Sequence, residues 1–129
     1  MSMTEISEVS ANILQMLGSP ARTAILIAIG RGEACVCHLE AVLGWRQAYI
    51  SQHLMALRKA GVLSDRREGR FVYYRLRDEA VLSLLRGAVA LAGLDPQTLD
   101  VLVSQESFPA CECPNCAPIL VPVEGIEKR

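Results

Sequence analysis

The chain has 129 residues and a formal net charge of −1; 51% of its residues are hydrophobic but only 5% are aromatic. That length and balance fit one small domain with an aliphatic core, which favours packed helices over a β-sandwich. Its longest apolar runs stop well short of the ~20 residues of a membrane span, and MSMTEISEVS lacks the basic start and apolar run of a signal peptide, so a cytoplasmic protein with reduced cysteines and no membrane partner is expected.

Helix punctuation comes first along the chain. Ile6, Val9, Ile13 and Leu17 share one face of a first helix that stops near Gly18. Ser19-Pro20 supplies an N-cap and a proline at the first helical position, opening a second helix to about Gly30. A short third helix fits 38–43, ended by Gly44, and a fourth fits 47–60, ended by Gly61. Two extended runs follow, 62–67 and 71–77, joined through Glu68-Gly69-Arg70, where glycine supplies the positive φ of a tight turn. Phe71-Val72-Tyr73-Tyr74 is the strongest strand signal. Asp78 caps another helix to about Gly93, and Asp95-Pro96 opens a shorter one to about Gln105. From residue 107 the chain changes character: FPACECPNCAPILVPVEGIEKR carries four prolines and no helical period, which reads as an extended tail.

Charge is unevenly spread. Residues 45–77 hold eight basic side chains (Arg46, Arg58, Lys59, Arg66, Arg67, Arg70, Arg75, Arg77) against Asp65 and Glu68, a local charge of +6 that leaves −7 for the rest. A basic block in an otherwise acidic protein is the footprint of a polyanion partner, although a solvated charged face would look the same. On a helical wheel Ile50, Leu54 and Leu57 form the buried stripe of the fourth helix, with His53 beside it as a packed core histidine. Gln47, Tyr49, Ser51 and Gln52 then lie where an N-terminal recognition helix reads base edges, and Arg58 and Lys59 suit phosphates. Any amphipathic helix has such a stripe. The order helix, glycine turn, helix and arginine-bearing hairpin is what points to DNA, with Arg66, Arg67 and Arg70 around the hairpin turn and able to follow a phosphate backbone.

This stretch resembles the winged helix-turn-helix of the ArsR/SmtB family of bacterial repressors. YISQHLMALRKAGVL matches the family's Ser-x-His-Leu recognition helix and RREGRFVYYRL its wing; the similarity runs over roughly residues 5–94 and is strongest at 35–77. The resemblance implies a mainly α fold with a small β-hairpin wing, and a homodimer built on the first and last core helices. It also implies a repressor that binds operator DNA and leaves it when an inducer binds. The residues independently suit a dimer, since apolar side chains nearly surround the helix from Val81 to Ala92 and more than one face needs cover.

Cysteine occurs in two clusters, Cys35-Val36-Cys37 and Cys111-Glu112-Cys113-Pro114-Asn115-Cys116. Five thiols grouped in this way suit a thiolate ligand set or a redox role better than chance packing. Within a regular helix, side chains two apart diverge by about 200° and cannot share an ion. At an extended helix start they can, and Cys35 and Cys37 fall just before the third helix, whose positive end favours negative charge. ACVCHLE looks like the Cys-Val-Cys-Asp-Leu signature of family members that sense arsenic, antimony, cadmium or lead. It departs at His38, where an acidic residue is usual, and at Glu40, where some arsenic sensors carry a further cysteine. The arm before the first helix lacks the cysteines that cadmium and lead sensors use. The last dimer helix lacks the histidines of zinc-type sensors. Three cysteines suit pyramidal arsenic(III) or antimony(III), and four suit tetrahedral zinc or cadmium, so Cys111, Cys113 and Cys116 either complete the set or form a separate site.

The expected organisation is a winged helix-turn-helix domain for DNA binding and dimerisation over 1–106, followed by a cysteine-containing tail over 107–129. The expected function is an operator-bound repressor released by a thiophilic metal or metalloid at Cys35, Cys37, Cys111, Cys113 and Cys116. A thiol-redox or persulfide sensor on the same fold is the alternative, and a thiol enzyme or structural zinc module a more distant one. No nucleophile–base–orienter set is visible.

Overall fold

A computed structural model of the chain describes residues 1–103, in the element order α1 (Met3–Leu17), α2 (Pro20–Ile29), β1 (Ala34–Cys35), α3 (Val36–Leu43), α4 (Gln47–Lys59), β2 (Leu63–Glu68), β3 (Phe71–Leu76), α5 (Ala80–Leu91) and α6 (Pro96–Val103). The reading of the tail, including Cys111, Cys113 and Cys116, lies outside the described residues.

Local chemistry sets the helix ends. Ser2 and Glu5 form a reciprocal capping box that opens α1. Ser19 accepts from the Arg22 amide ahead of Pro20. Asp78 and Asp95 each accept from the amide two residues on, which starts α5 and α6. Gly30 ends α2 at φ 59°, and a Cβ there would stand 2.8 Å from the Val103 carbonyl, so glycine is what allows α6 to close over that corner.

The wing is larger than a hairpin. Its three strands run in the order β1-β3-β2, all antiparallel, with Cys35 opposite Tyr73 and Arg66 opposite Tyr73 on the other side. The two-residue β1 was not foreseen: it is too short to carry a hydrophobic period, and its place is set by the long-range pairing to β3. The third helix also begins earlier than expected, at Val36, so Cys35 is its N-cap and Cys37 lies in its first turn.

Leu26, Leu39, Ile50, Leu54, Leu57 and Leu63 are fully enclosed where α2, α3, α4 and β2 meet. The outer helices are another matter. On α1, Ile6, Val9 and Leu14 are more than half exposed, and on α5 Leu91 is 91% exposed. Leu14 and Leu17 face Leu84, Leu85 and Ala88 across an apolar groove of about 440 Å³. Among the described residues no single helix is long and apolar enough to cross a membrane.

Candidate functional site

The fourth helix is built as the wheel requires. Ile50, Leu54 and Leu57 are 0% exposed and fix one face to the core. The opposite face presents Gln47, Tyr49 and Gln52 to solvent with Ser51 half-buried beside them, and Arg58 and Lys59 stand exposed in its last turn. Cations there also suit the negative end of the helix. Gly44, at φ 73°, turns the chain between α3 and α4. The Tyr49 ring is held edge-on between Trp45 (5.5 Å) and His53 (4.8 Å).

His53 is a packed core residue. Its Nδ1 accepts from Arg22 Nε at 3.1 Å, and Arg22 Nη1 reaches the Met16 carbonyl (3.2 Å) and sulfur (2.9 Å) at the end of α1. Burial, then the Arg22 charge, pushes the His53 imidazole below its ordinary range. One guanidinium thus joins the exposed outer helix to the middle of the reading helix. Sequence alone gives no sign of that link, because its ends are 31 residues apart.

The wing arginines separate into two kinds. Arg67 and Arg70 make no ion pair with any described residue, Arg70 resting only over the Phe71 ring at 5.6 Å. Arg66 is engaged on all sides. Its Nε and Nη2 meet the two oxygens of Glu33 at 3.0 and 2.7 Å, its Nη1 meets Glu68 at 2.8 Å, and its plane lies over the Tyr73 ring at 4.7 Å. Those carboxylates hold Arg66 even further above the neutral range than an ordinary guanidinium. Arg58 stands 3.9 Å from Asp65, a loose and exposed pair. Glu33 and Tyr73 were missed as site residues. The period-two alternation of the strands, which puts Arg66 and Tyr73 on one face, was the available signal.

At the other edge of this sheet stands the cysteine pair. Cys35 Sγ caps α3, accepting from the His38 amide at 3.4 Å, and Cys37 Sγ lies 2.6 Å from it. The extended backbone of Cys35 (φ −86°, ψ 169°) is what lets two residues of i, i+2 spacing converge. Cys35 is buried and Cys37 half-buried against Tyr73 and Phe71, the two rings stacked 6.4 Å apart. His38 is buried close by, and desolvation lowers its pKa. Among the described residues no group of three or more His, Cys, Asp or Glu side chains is arranged to hold a metal ion. Among the described residues the pair thus brings two sulfurs together and no third donor; the remaining thiols of the chain are Cys111, Cys113 and Cys116.

A reading helix preceded by a shorter helix, followed by a basic β-hairpin and packed on a helical core, defines a winged helix-turn-helix DNA-binding regulator. Comparison with known proteins agrees. Residues 19–65 match the family "Bacterial regulatory protein, arsR family". The chain is 38% identical over 91 residues to the HTH-type transcriptional repressor SmtB of Mycobacterium tuberculosis, covering 70% of this chain and 67% of that one. It is 43% identical over 81 residues to the arsenic resistance transcriptional regulator ArsR1 of Pseudomonas putida, covering 60% of this chain and 63% of that one. The crystal structure of NolR from Sinorhizobium fredii superposes with a TM-score of 0.64 at 29% identity, over 73% of this chain and 96% of NolR. The protein belongs to the ArsR/SmtB family and is a transcriptional regulator rather than an enzyme.

Proposed function

We infer that this protein is a repressor that holds operator DNA as a homodimer and lets go when cysteine thiolates bind a thiophilic metal or metalloid. The observation that carries the reading is the position of Cys35. It is at once the N-cap of α3, which packs behind the reading helix, and part of the outer strand of the wing sheet. A ligand drawn to its sulfur competes with the His38 amide and acts on both DNA-facing elements at their root.

Two converging sulfurs fit a soft ion, and softness selects arsenic(III), antimony(III), cadmium, lead or zinc over hard cations. Cys35 and Cys37 would hold it, with further donors from Cys111, Cys113 and Cys116. Gln47, Tyr49, Ser51 and Gln52 would read base edges, and Arg58, Lys59, Arg67 and Arg70 would follow phosphates, while Arg66 stays with its carboxylates. The groove between α1 and α5 supports a twofold dimer, which would set two reading helices about one DNA turn apart.

Fluorescence anisotropy on the protein's own promoter tests this. Arsenite, cadmium or lead should weaken binding by about five- to 150-fold, and Cys35→Ser/Cys37→Ser should remove the response. Cys111→Ser/Cys113→Ser/Cys116→Ser shows whether the tail supplies donors. Release that persists in both variants would sink metal sensing at the thiols. Release by oxidant alone would replace metal binding with thiol oxidation.

A further inference from the structure

We propose that Glu33, Arg66 and Tyr73 form the transmission link between the cysteine pair and the wing, with Arg66 serving as a positioning residue rather than a phosphate contact. The link rests on the sensing role inferred above, but its geometry stands independently. Cys35, Tyr73 and Arg66 occupy one transverse row of the three-stranded sheet, each opposite the next. In antiparallel sheets, residues opposite one another project to the same face. Here that face carries buried Cys35, the fully buried Tyr73 ring and the Arg66 guanidinium lying over it at 4.7 Å.

Arg66 closes the row into a loop. From β2 it reaches across β3 and grips Glu33, the residue that leads into β1, through a two-pronged pair at 2.7 and 3.0 Å. A two-pronged guanidinium–carboxylate pair fixes orientation as well as distance. Nη1 holds Glu68, which flanks the wing turn, at 2.8 Å. Movement of the segment around Cys35 therefore pulls on β2 by two routes: through the Tyr73 ring, and through the Glu33–Arg66 pair. The free end of the wing, Glu68 to Phe71, is tied to the same guanidinium. Without this pair β1 would be joined to the wing only through its two-residue pairing with β3 and the packing of Cys35 on Tyr73.

A double-mutant cycle on the full chain tests the link without any ligand. Promoter affinity is measured for the unmodified protein, Cys35→Ala, Arg66→Lys and the double variant; Arg66→Lys keeps the charge and loses the fork. The single effects should fail to multiply by about threefold or more. Effects that multiply within about twofold overturn the proposal, whatever metals do. A second arm uses cadmium ion alone with Glu33→Gln, a change at a half-buried residue outside the reading surface. Hydrogen exchange at residues 34–37 should still respond to cadmium, the response at 63–76 should be lost, and the release ratio should shrink about two- to thirtyfold. A retained wing response with an unchanged release ratio overturns the proposal. If cadmium, arsenite and lead leave even the unmodified protein on DNA, metal sensing fails, and the ligand-free cycle alone decides the link.

Discussion

Arg67→Gln and Arg66→Gln should differ in kind, although the two residues are neighbours in one strand. Each phosphate contact contributes about −0.9 to the slope of log affinity against log salt. A homodimer presents every contact twice, so losing Arg67, which is exposed and makes no ion pair with a described residue, should flatten the slope by about 1.8. Between roughly 50 and 200 mM salt that slope change corresponds to about tenfold in relative affinity. Arg66 already has its charge matched by Glu33 and Glu68, so its loss should leave the slope unchanged to within about 0.5. Anisotropy titrations at four salt concentrations on one promoter fragment measure both slopes. Equal flattening by the two variants would show that Arg66 abandons its carboxylates for DNA, and the division of the wing into two kinds of arginine would be wrong.

Other outcomes follow from the same structure. Leu14→Asp, or Leu84→Asp across the groove, should give a monomer by sedimentation and weaken operator binding roughly a hundredfold; a dimer of normal affinity would place the interface elsewhere. Gly30→Ala combines a left-handed backbone with a 2.8 Å approach to the Val103 carbonyl. It should cost about 3 kcal/mol and lower Tm by roughly 10–20 °C, and a fall under about 3 °C would contradict the packing of α6. His53 and His38 both have folded-state pKa values below the ordinary 6.5. The unfolded chain therefore takes up protons first, so stability is full above about pH 6.5 and declines as the pH falls from there towards the folded values. Urea midpoints at about pH 7.5 and about pH 5.5 should show this decline, and His53→Gln should reduce it; a rise on acidification would refute the sign.

What the sequence made legible was local. Ser19-Pro20, Gly18, Gly30 and Gly44 each mark a helix end with a one- or two-residue signal, and each falls where a helix starts or stops. The buried stripe of α4 and the β-forming run at Phe71 behaved in the same way. Long-range pairing escaped. Strand β1 exists because β3 is there to pair with it, and nothing in Ala34-Cys35 announces that partner. Arg66 looked like its neighbours because charge counting cannot see a carboxylate 33 residues away. The start of α3 was misplaced for a related reason. A cysteine is an unusual N-cap, and no Ser, Thr, Asp or Asn precedes Val36 to mark the boundary.

That unusual cap separates two demands on position 35. The start of α3 uses a side-chain acceptor for the His38 amide, whereas the sensing proposed above would need a soft sulfur. Serine meets the first demand better than cysteine and the second hardly at all. Exchange of one atom, sulfur for oxygen, would thus leave an intact regulator permanently deaf to its inducer.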